Sequence, residues 1–534
     1  MTEIKVVELI FLLLLLFIIA FGQLARKIGT PYPIVMIIGG LLLGFVPGIP
    51  KITLDPDLIF LVVLPPLIYS SAWTTSWRDF RYNLISILLL AFGLVGFTVA
   101  GVALVAPRLL SGFDWRLGLV LGAVVAPTDA IAATSIARRV GLPSRIVDVL
   151  EGESLINDAT GLLALQFAVA LVESGRAPTA TEGVLTLLWL VVGGVAVGIA
   201  LGWIVYRLEL RIDDAPIEIS LSILVPYGAY FAADAVHASG VLAVVASGLF
   251  LTRRSAYMFS PPVRIQVWSF WQSFTFILNG LVFVLIGLQL PTVLASIRGY
   301  SFLDVVRDGA LFSLTLIVLR LLWVFPGAKI AYFLRRTLDH QNNPVPAARQ
   351  IFVVGWTGMR GGVSLAAALA LPIVVANGSA FPQRDFIVFL TFCVILVTLV
   401  LQGLTLPRLV RALGLEGSAG PNCEEREARR IVLEAAVSYL ESTREPGVEE
   451  TDDVYEDLVG HYRQRLESLR PIEEDQAQLS NHHRFVRLSR EVIRVERDTA
   501  IHLRNEGRIN DQVLRRLERE FDLTELKYSK APEE

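Results

Sequence analysis

Ionisable side chains lie inside several long apolar stretches of this sequence, most clearly at Asp129, Glu153, Asp158, Arg320 and Arg360. A charged group near the centre of a bilayer is costly, so each is by default a candidate for function. A helix rises about 1.5 Å per residue. On that count Asp129 and Asp158 lie about 18 Å, and Arg360 about 16 Å, into segments that cross a hydrocarbon core about 30 Å thick. The simplest interpretation is one site near the midplane, built by several helices.

The segment around Asp158 predicts two chemically different helix faces. Residues four apart lie together on a helix, so Ser154 and Asp158 share one face, and Glu153 and Asn157 share the other. We therefore expect Asp158 to bind an ion with Ser154 as an additional oxygen ligand, and Glu153 to be held by a buried arginine. Oxygen ligands suit a hard cation such as sodium, which predicts a sodium site at Asp158.

Two of the apolar segments carry residues that interrupt a helix. Pro127 removes a helical hydrogen bond, and Gly355, Gly358, Gly361 and Gly362 weaken the twelfth segment. Broken helices at corresponding positions of two halves mark the ion site of inverted-repeat transporters. The exposed helix ends carry partial charges, which Asp129 and Arg360 could neutralise.

The composition places these residues in a membrane protein. The 534 residues are 54% hydrophobic, with a mean hydropathy of +0.59, too apolar for a soluble chain of this size. Residues 1–420 hold 28 basic and 23 acidic side chains, whereas residues 421–534 hold 19 and 27. We therefore expect a transmembrane domain over 1–420 and a helical cytoplasmic domain over 421–534. Neither has the basic excess of a nucleic-acid binder.

Segmenting the chain by the length of a membrane helix, about 20 residues, predicts an all-α polytopic protein of about thirteen transmembrane helices. Two inverted six-helix repeats with discontinuous crossing helices, joined by one extra helix, would account for the count. With the charged tail inside, fifteen Lys and Arg side chains fall in inner loops and eight in outer loops. This bias favours an N-terminus outside and a cytoplasmic C-terminus. The predicted segments lie near 6–24, 31–46, 55–73, 83–106, 117–137, 146–172, 183–207, 217–236, 238–252, 265–290, 308–334, 349–371 and 385–410.

Five motifs together resemble one known family. They are Pro127-Thr128-Asp129, Glu153-Ser154, Asn157-Asp158, Arg320 and Gly358-Met359-Arg360-Gly361-Gly362. The set is similar to the signature of sodium/proton antiporters of the cation:proton antiporter superfamily, in the branch with bacterial antiporters and animal sodium/hydrogen exchangers. Leu64–Tyr69 and His237–Ala243 resemble two further family segments, so the resemblance covers about residues 6–410.

The resemblance implies a homodimer in the plasma or inner membrane that serves ion transport and pH homeostasis. Each protomer would move its core domain like an elevator. It implies that Asp158 binds cation and proton alternately, with Ser154 and Thr128 completing the ion site. Asn157 takes the position of an aspartate in electrogenic relatives, so we expect it among the ion-binding residues, and its neutral side chain implies electroneutral exchange.

The resemblance also implies that Glu153 pairs with Arg320, and Arg360 is the alternative partner. Some relatives carry an acid where this chain has Ser70-Ser71, which leaves the choice among sodium, potassium and lithium open.

Two other classes of function compete with an antiporter. An ion channel would need a continuous hydrated pathway and no single titratable carboxylate. A membrane-embedded enzyme would need a nucleophile with its base, which the sequence lacks, so we expect no enzyme activity and no cofactor. The expected partners are sodium, protons, membrane lipid and a second copy of the chain.

Overall fold

The computed structural model describes residues 3–47, 56–174, 179–297, 301–338, 346–375, 378–415, 421–443, 449–467, 476–508 and 511–529. It divides into two compact units, Met1–Ser418 and Ala419–Glu534. The described part is helical apart from turns, extended connections and one isolated bridge between Val374 and Ala380.

The first half of the membrane unit consists of long helices and two broken or bent ones. Trp77–Leu109 is one continuous rod, because a π-helical turn at Leu89–Leu94 joins α4 to α5. A second π-helical turn, Leu58–Val63, leads into α3. The helices are α1 (Glu3–Ile28), α2 (Tyr32–Gly44), α3 (Leu64–Thr74), α4 (Trp77–Leu88), α5 (Val95–Leu109), α6 (Trp115–Val125), α7 (Ala130–Arg139), α8 (Ser144–Ser174) and α9 (Ala180–Glu209).

The second half repeats the mixture of long and interrupted helices. A third π-helical turn, Thr398–Gln402, joins α18 to α19. The helices are α10 (Ala215–Asp234), α11 (Gly240–Thr252), α12 (Ser255–Met258), α13 (Pro261–Leu288), α14 (Leu290–Ser296), α15 (Phe302–Leu338), α16 (Ala348–Trp356), α17 (Gly362–Leu369), α18 (Arg384–Val397) and α19 (Gly403–Ala412).

Each of the thirteen predicted segments contains helix, but the lengths differ from the prediction. Among the described residues, eight helical spans are long and apolar enough to cross a membrane, and α6 with α7, bent by 44° at their break, makes a ninth. Tyr32–Gly44, Leu58–Thr74 and Gly240–Thr252 are shorter apolar helices. These spans make the chain a multi-pass membrane protein, whereas the count of thirteen crossings and the inverted repeats remain predictions.

Small residues allow close packing between the spans. A Cβ atom on Gly198 of α9 would overlap the carbonyl oxygen of Ala243 in α11. Small side chains at such contacts let two helix backbones approach, and this is how membrane helices gain packing energy without a hydrophobic driving force. The packing of α9 on α11 therefore depends on glycine at 198.

The described residues of the second unit form four helices, and the cytoplasmic domain over 421–534 remains a prediction. They are α20 (Pro421–Thr443), α21 (Glu449–Glu467), α22 (Gln476–Asn505) and α23 (Asp511–Ser529). Arg463 pairs with Glu441 at 2.6 Å between α21 and α20. Arg497 of α22 pairs with α23 residues Asp522 at 2.9 Å and Glu525 at 2.6 Å. Such exposed pairs contribute little stability.

Candidate ion-binding site

Two non-helical segments cross at the centre of the site. Residues 126–129 connect α6 to α7, and residues 357–361 connect α16 to α17. The Asp129 N–H donates to the Met359 carbonyl oxygen at 2.8 Å, and a Cβ atom on Gly361 would overlap the Asp129 carboxylate. Both interruptions that the sequence predicts from Pro127 and the glycines are therefore present, and glycine at 361 permits the contact between them.

The two charged residues of the crossing lie at helix ends. The Asp129 Oδ1 atom accepts from the N–H groups of Ile131, at 2.9 Å, and Ala132, at 3.3 Å, and so caps the N-terminus of α7. The Arg360 guanidinium donates to the Val125 carbonyl oxygen at 3.0 Å, at the C-terminus of α6, and to the Gly358 carbonyl oxygen. An acid at a positive helix end and a cation at a negative one are both favourable.

Glu153 and Arg320 form a bidentate ion pair. The Arg320 Nη1 and Nη2 atoms lie 2.6 and 2.9 Å from the Glu153 Oε1 and Oε2 atoms, and each side chain is 1% exposed. Arg320 also donates to the Val354 carbonyl oxygen at 3.1 Å. Of the two candidate partners, the structure places Arg320 on Glu153, whereas Arg360 is engaged with the backbone of the crossing segments.

Thr128 links this ion pair to the rest of the site. Its Oγ1 atom donates to Glu153 Oε1 at 3.3 Å and accepts from Asn157 Nδ2 at 2.6 Å. Its carbonyl oxygen accepts from the Ser154 Oγ atom at 2.8 Å, and the Ala130 N–H donates to that same Ser154 oxygen at 3.3 Å. The Thr128 hydroxyl therefore belongs to the network that holds Glu153.

A cavity of about 80 Å³ opens beside the crossing. This is room for about two or three waters. Asp158 lines it and is 7% exposed. Within the described part of the chain, the Asp158 Oδ1 atom has no hydrogen-bond partner. The other polar side chains that line the cavity are Ser71, Thr128, Asp129, Ser154, Asn279 and Ser364.

The placement of Asn157 differs from the sequence prediction. It was expected among the ion-binding residues, but it does not line the cavity. The reason is the helix face, because Asn157 lies one turn from Glu153 and both point towards Thr128. Asn157 therefore contacts the ion pair's network, while Asp158 and Ser154 face the cavity.

Sequence reasoning missed one residue of the cavity wall. Asn279 is 6% exposed and contributes an amide from the middle of α13. The signal was available, since Asn279 is the one polar side chain in the run from Phe276 to Leu288. Ser71 was considered only as a departure from relatives, and it does line the cavity.

Residues 11–412 match the family model described as "Sodium/hydrogen exchanger, transmembrane". The chain belongs to the sodium/hydrogen exchanger family. The resemblance inferred from the motifs is thereby confirmed, and the family is one of membrane transporters rather than enzymes.

Several relatives align with this exchanger over most of its length. An uncharacterized Na⁺/H⁺ exchanger of Mycobacterium tuberculosis is 35% identical, covering 92% of this chain and 91% of the relative. The sodium, potassium, lithium and rubidium/H⁺ antiporter of Bacillus pumilus is 32% identical, covering 93% and 74%. The structure of the sodium proton antiporter MjNhaP1 from Methanocaldococcus jannaschii at pH 8 matches with a TM-score of 0.59 at 20% identity, covering 76% of this exchanger and all of that chain. The structural match establishes a shared fold.

Proposed function

We propose that this exchanger carries sodium, or another small monovalent cation, in one direction and a proton in the other, with Asp158 as the shared binding group. The observation that carries the proposal is the buried Asp158 carboxylate, which lines the cavity beside two broken helices and has an oxygen without a hydrogen-bond partner in the described structure. Ser154 and the other oxygen atoms of the cavity wall supply the remaining ligands that a hard cation prefers.

Coupling follows from the cost of moving a bare charge. An ionised carboxylate is expensive to transfer through an apolar barrier unless it is neutralised. A bound cation or a bound proton each removes that charge, and the two exclude one another at Asp158. The core domain then crosses readily only in a loaded state, which gives exchange by alternating access.

The charges around the cavity favour one-for-one, electroneutral exchange. Asp129 is engaged as a helix cap, and Glu153 is neutralised by Arg320. Asn157, next to Asp158, is a neutral amide. This leaves one carboxylate per protomer free to exchange its ligand, so one cation replaces one proton.

The wider arrangement is also part of the proposal. Residues 1–420 form the transporting domain in the plasma membrane, with the N-terminus outside, and residues 421–534 form a cytoplasmic helical domain. The transporting unit is a homodimer that uses an elevator-like movement and contributes to pH homeostasis. The Bacillus pumilus relative is named for sodium, potassium, lithium and rubidium, so the cation is best tested as a series.

The test is ion-driven proton movement in proteoliposomes that contain the full chain and an internal pH dye. Sodium added to acid-loaded vesicles should alkalinise the lumen, and Asp158→Asn should abolish the response in folded protein. Asp304→Asn is the matched control, because Asp304 is an exposed acid paired with Arg307 on α15, and it should retain exchange. Substantial sodium-dependent proton movement in Asp158→Asn would overturn the proposal.

A second measurement tests the stoichiometry. With valinomycin and potassium clamping the membrane potential at either sign, one-for-one exchange should give the same rate. If opposite potentials drive sodium in opposite directions, more than one charge moves per cycle and electroneutrality is wrong.

A further inference from the structure

The polar side chains around the Asp158 cavity are not equally available to a ligand. The Thr128 hydroxyl belongs to the network of the ion pair, and the Asp129 Oδ1 atom caps α7. The Ser364 hydroxyl donates to a backbone carbonyl oxygen at 3.4 Å. The Ser154 hydroxyl donates to one backbone carbonyl oxygen and accepts from one backbone N–H, which leaves its oxygen one lone pair for a cation. Most of the wall is therefore already engaged by the protein.

Asn279 differs from these residues, because nothing engages its amide. Its side chain is 6% exposed and lines the cavity. Among the residues that the structure describes, none forms a hydrogen bond with the Asn279 side chain. The amide can accept two hydrogen bonds at its oxygen and donate two from its nitrogen. Buried polar groups are normally satisfied, so this amide requires a ligand that enters the cavity.

The packing of α13 holds Asn279 in place beside the helix crossing. Asn279, Val282 and Phe283 line the cavity together, as residues three and four apart share one face of a helix. A Cβ atom on Gly362, at the start of α17, would overlap Val282. On the other side of α13, a Cβ atom on Gly280 would overlap a side chain of α1. Close contacts on both sides of α13 therefore fix the position from which the amide reaches the cavity.

The size of the cavity brings the amide within reach of a cation at Asp158. The cavity has a volume of about 80 Å³, which is room for about two or three waters. A cation in this space keeps few of its own waters, so its other ligands must be oxygen atoms of the wall. The Asn279 oxygen can ligate a cation without adding charge. When Asp158 instead carries the proton, the same oxygen can accept a hydrogen bond from the neutral carboxyl group.

We propose that Asn279 is a cation-binding residue of the exchange site and determines which monovalent cation the site selects. The inference rests on the proposed function, because it requires a cation bound at Asp158. The Asn279 oxygen ligates the cation from α13, opposite the Asp158 carboxylate of α8. Selectivity among cations depends on the size of a site and on the number and dipole strength of its oxygen ligands. A fixed amide oxygen in a small cavity favours lithium and sodium over potassium, because a shorter distance to the oxygen gives a stronger attraction.

The experiment measures exchange of the full chain in proteoliposomes with lithium, sodium and potassium in turn. Asn279→Leu keeps the shape of the side chain and removes the amide. It should raise the KM for sodium about tenfold or more, as for the loss of one ligand to a charged group, and leave the maximal rate near that of the wild type. The KM for potassium should rise less, so the preference for sodium falls. Asn83→Leu is the matched control, because Asn83 is also a buried amide, 2% exposed, and does not line this cavity. It should keep the wild-type KM and preference.

A second measurement follows cation binding without transport, as the rise in unfolding temperature of the purified chain when sodium replaces choline at constant ionic strength. Asn279→Leu should need about tenfold more sodium than the wild type for the same rise. Asn279→Ser keeps a neutral oxygen and should need less sodium than Asn279→Leu.

Three outcomes would overturn the assignment. A wild-type sodium dependence of Asn279→Leu in both measurements places the cation away from Asn279. Equal losses in Asn279→Leu and Asn279→Ser mean that the oxygen is not the cause, and equal losses of lithium, sodium and potassium affinity remove the role in selection. The proposed function fails separately, if the wild type moves no protons with any of the three cations or if Asp158→Asn retains exchange.

Discussion

The ion pair between Glu153 and Arg320 gives the sharpest test of how this core is held together. Both oxygen atoms of the carboxylate receive a guanidinium N–H, at 2.6 and 2.9 Å, and both side chains are 1% exposed. Removing one partner of a buried pair leaves an uncompensated charge and costs about 3–5 kcal/mol, whereas replacing both is often close to neutral. Glu153→Gln and Arg320→Leu should each destabilise by about that amount, and the double variant by much less than their sum.

The assay is a double-mutant cycle on the full chain in detergent, with unfolding temperature followed by tryptophan fluorescence. The coupling should reach about 3 kcal/mol or more, since each single variant leaves one buried charge without its partner and the double variant leaves none. Arg307 and Asp304 provide the control, at 3.2 Å, because their side chains are 60% and 55% exposed. Their cycle should give a coupling of about 1 kcal/mol or less, as for surface pairs.

Two results would refute this reasoning. The first is a coupling equal to that of Arg307 with Asp304, which would mean that the buried pair contributes no more than a surface pair. If instead Glu153 coupled strongly with Arg360 and weakly with Arg320, the pairing would be wrong although the transporter assignment would stand. We expect weak coupling to Arg360, because its guanidinium is already engaged with the carbonyl oxygens of Val125 and Gly358.

Two further changes test the crossing and an unrelated buried acid. Gly361→Ala should lower the free energy of unfolding by about 1–3 kcal/mol and abolish exchange in the proteoliposome assay, because the added methyl group overlaps the Asp129 carboxylate. The control is Gly183→Ala, which should be tolerated because a Cβ atom at Gly183 meets nothing within 4 Å. Full activity in Gly361→Ala would contradict the close crossing. Glu218→Gln should raise the unfolding temperature by the equivalent of about 1 kcal/mol or more, since Glu218 is 1% exposed and an ionised carboxylate is costly to bury. A lower unfolding temperature would show that the carboxylate takes part in a stabilising interaction.

Local sequence rules were sufficient for much of the candidate site. Pro127 and the glycines of the twelfth segment predicted both helix interruptions, because each residue weakens a helix wherever it lies. The helical period separated Ser154 and Asp158 from Glu153 and Asn157 without any tertiary information. These inferences succeeded because helix breaks and helix faces are determined by residues within a few positions along the chain.

The remainder depended on which helices meet. Arg320 and Arg360 are both buried cations in the second half of the chain. Their depth in the membrane, estimated from the sequence, could not decide which of them pairs with Glu153. The choice depends on the approach of α15 to α8, which brings Arg320 within 2.6 Å of Glu153. Asn279 reaches the cavity only because α13 packs beside the crossing. The π-helical turns at Leu58–Val63, Leu89–Leu94 and Thr398–Gln402 shift the helical register without a distinctive residue pattern.

The neutral Asn157 and the charged Glu153 also limit the chemistry at the cavity. Their shared face is occupied by Thr128, and Thr128 in turn fixes Ser154 through its carbonyl oxygen. A second acid at position 157 would place a carboxylate next to Glu153, and the charge of Arg320 is already neutralised by Glu153. That carboxylate could be kept ionised only by a further cation or by water from the cavity. An amide there satisfies the Thr128 hydroxyl without adding charge, so the network that fixes the ion pair also leaves Asp158 as the one carboxylate of α8 at the cavity.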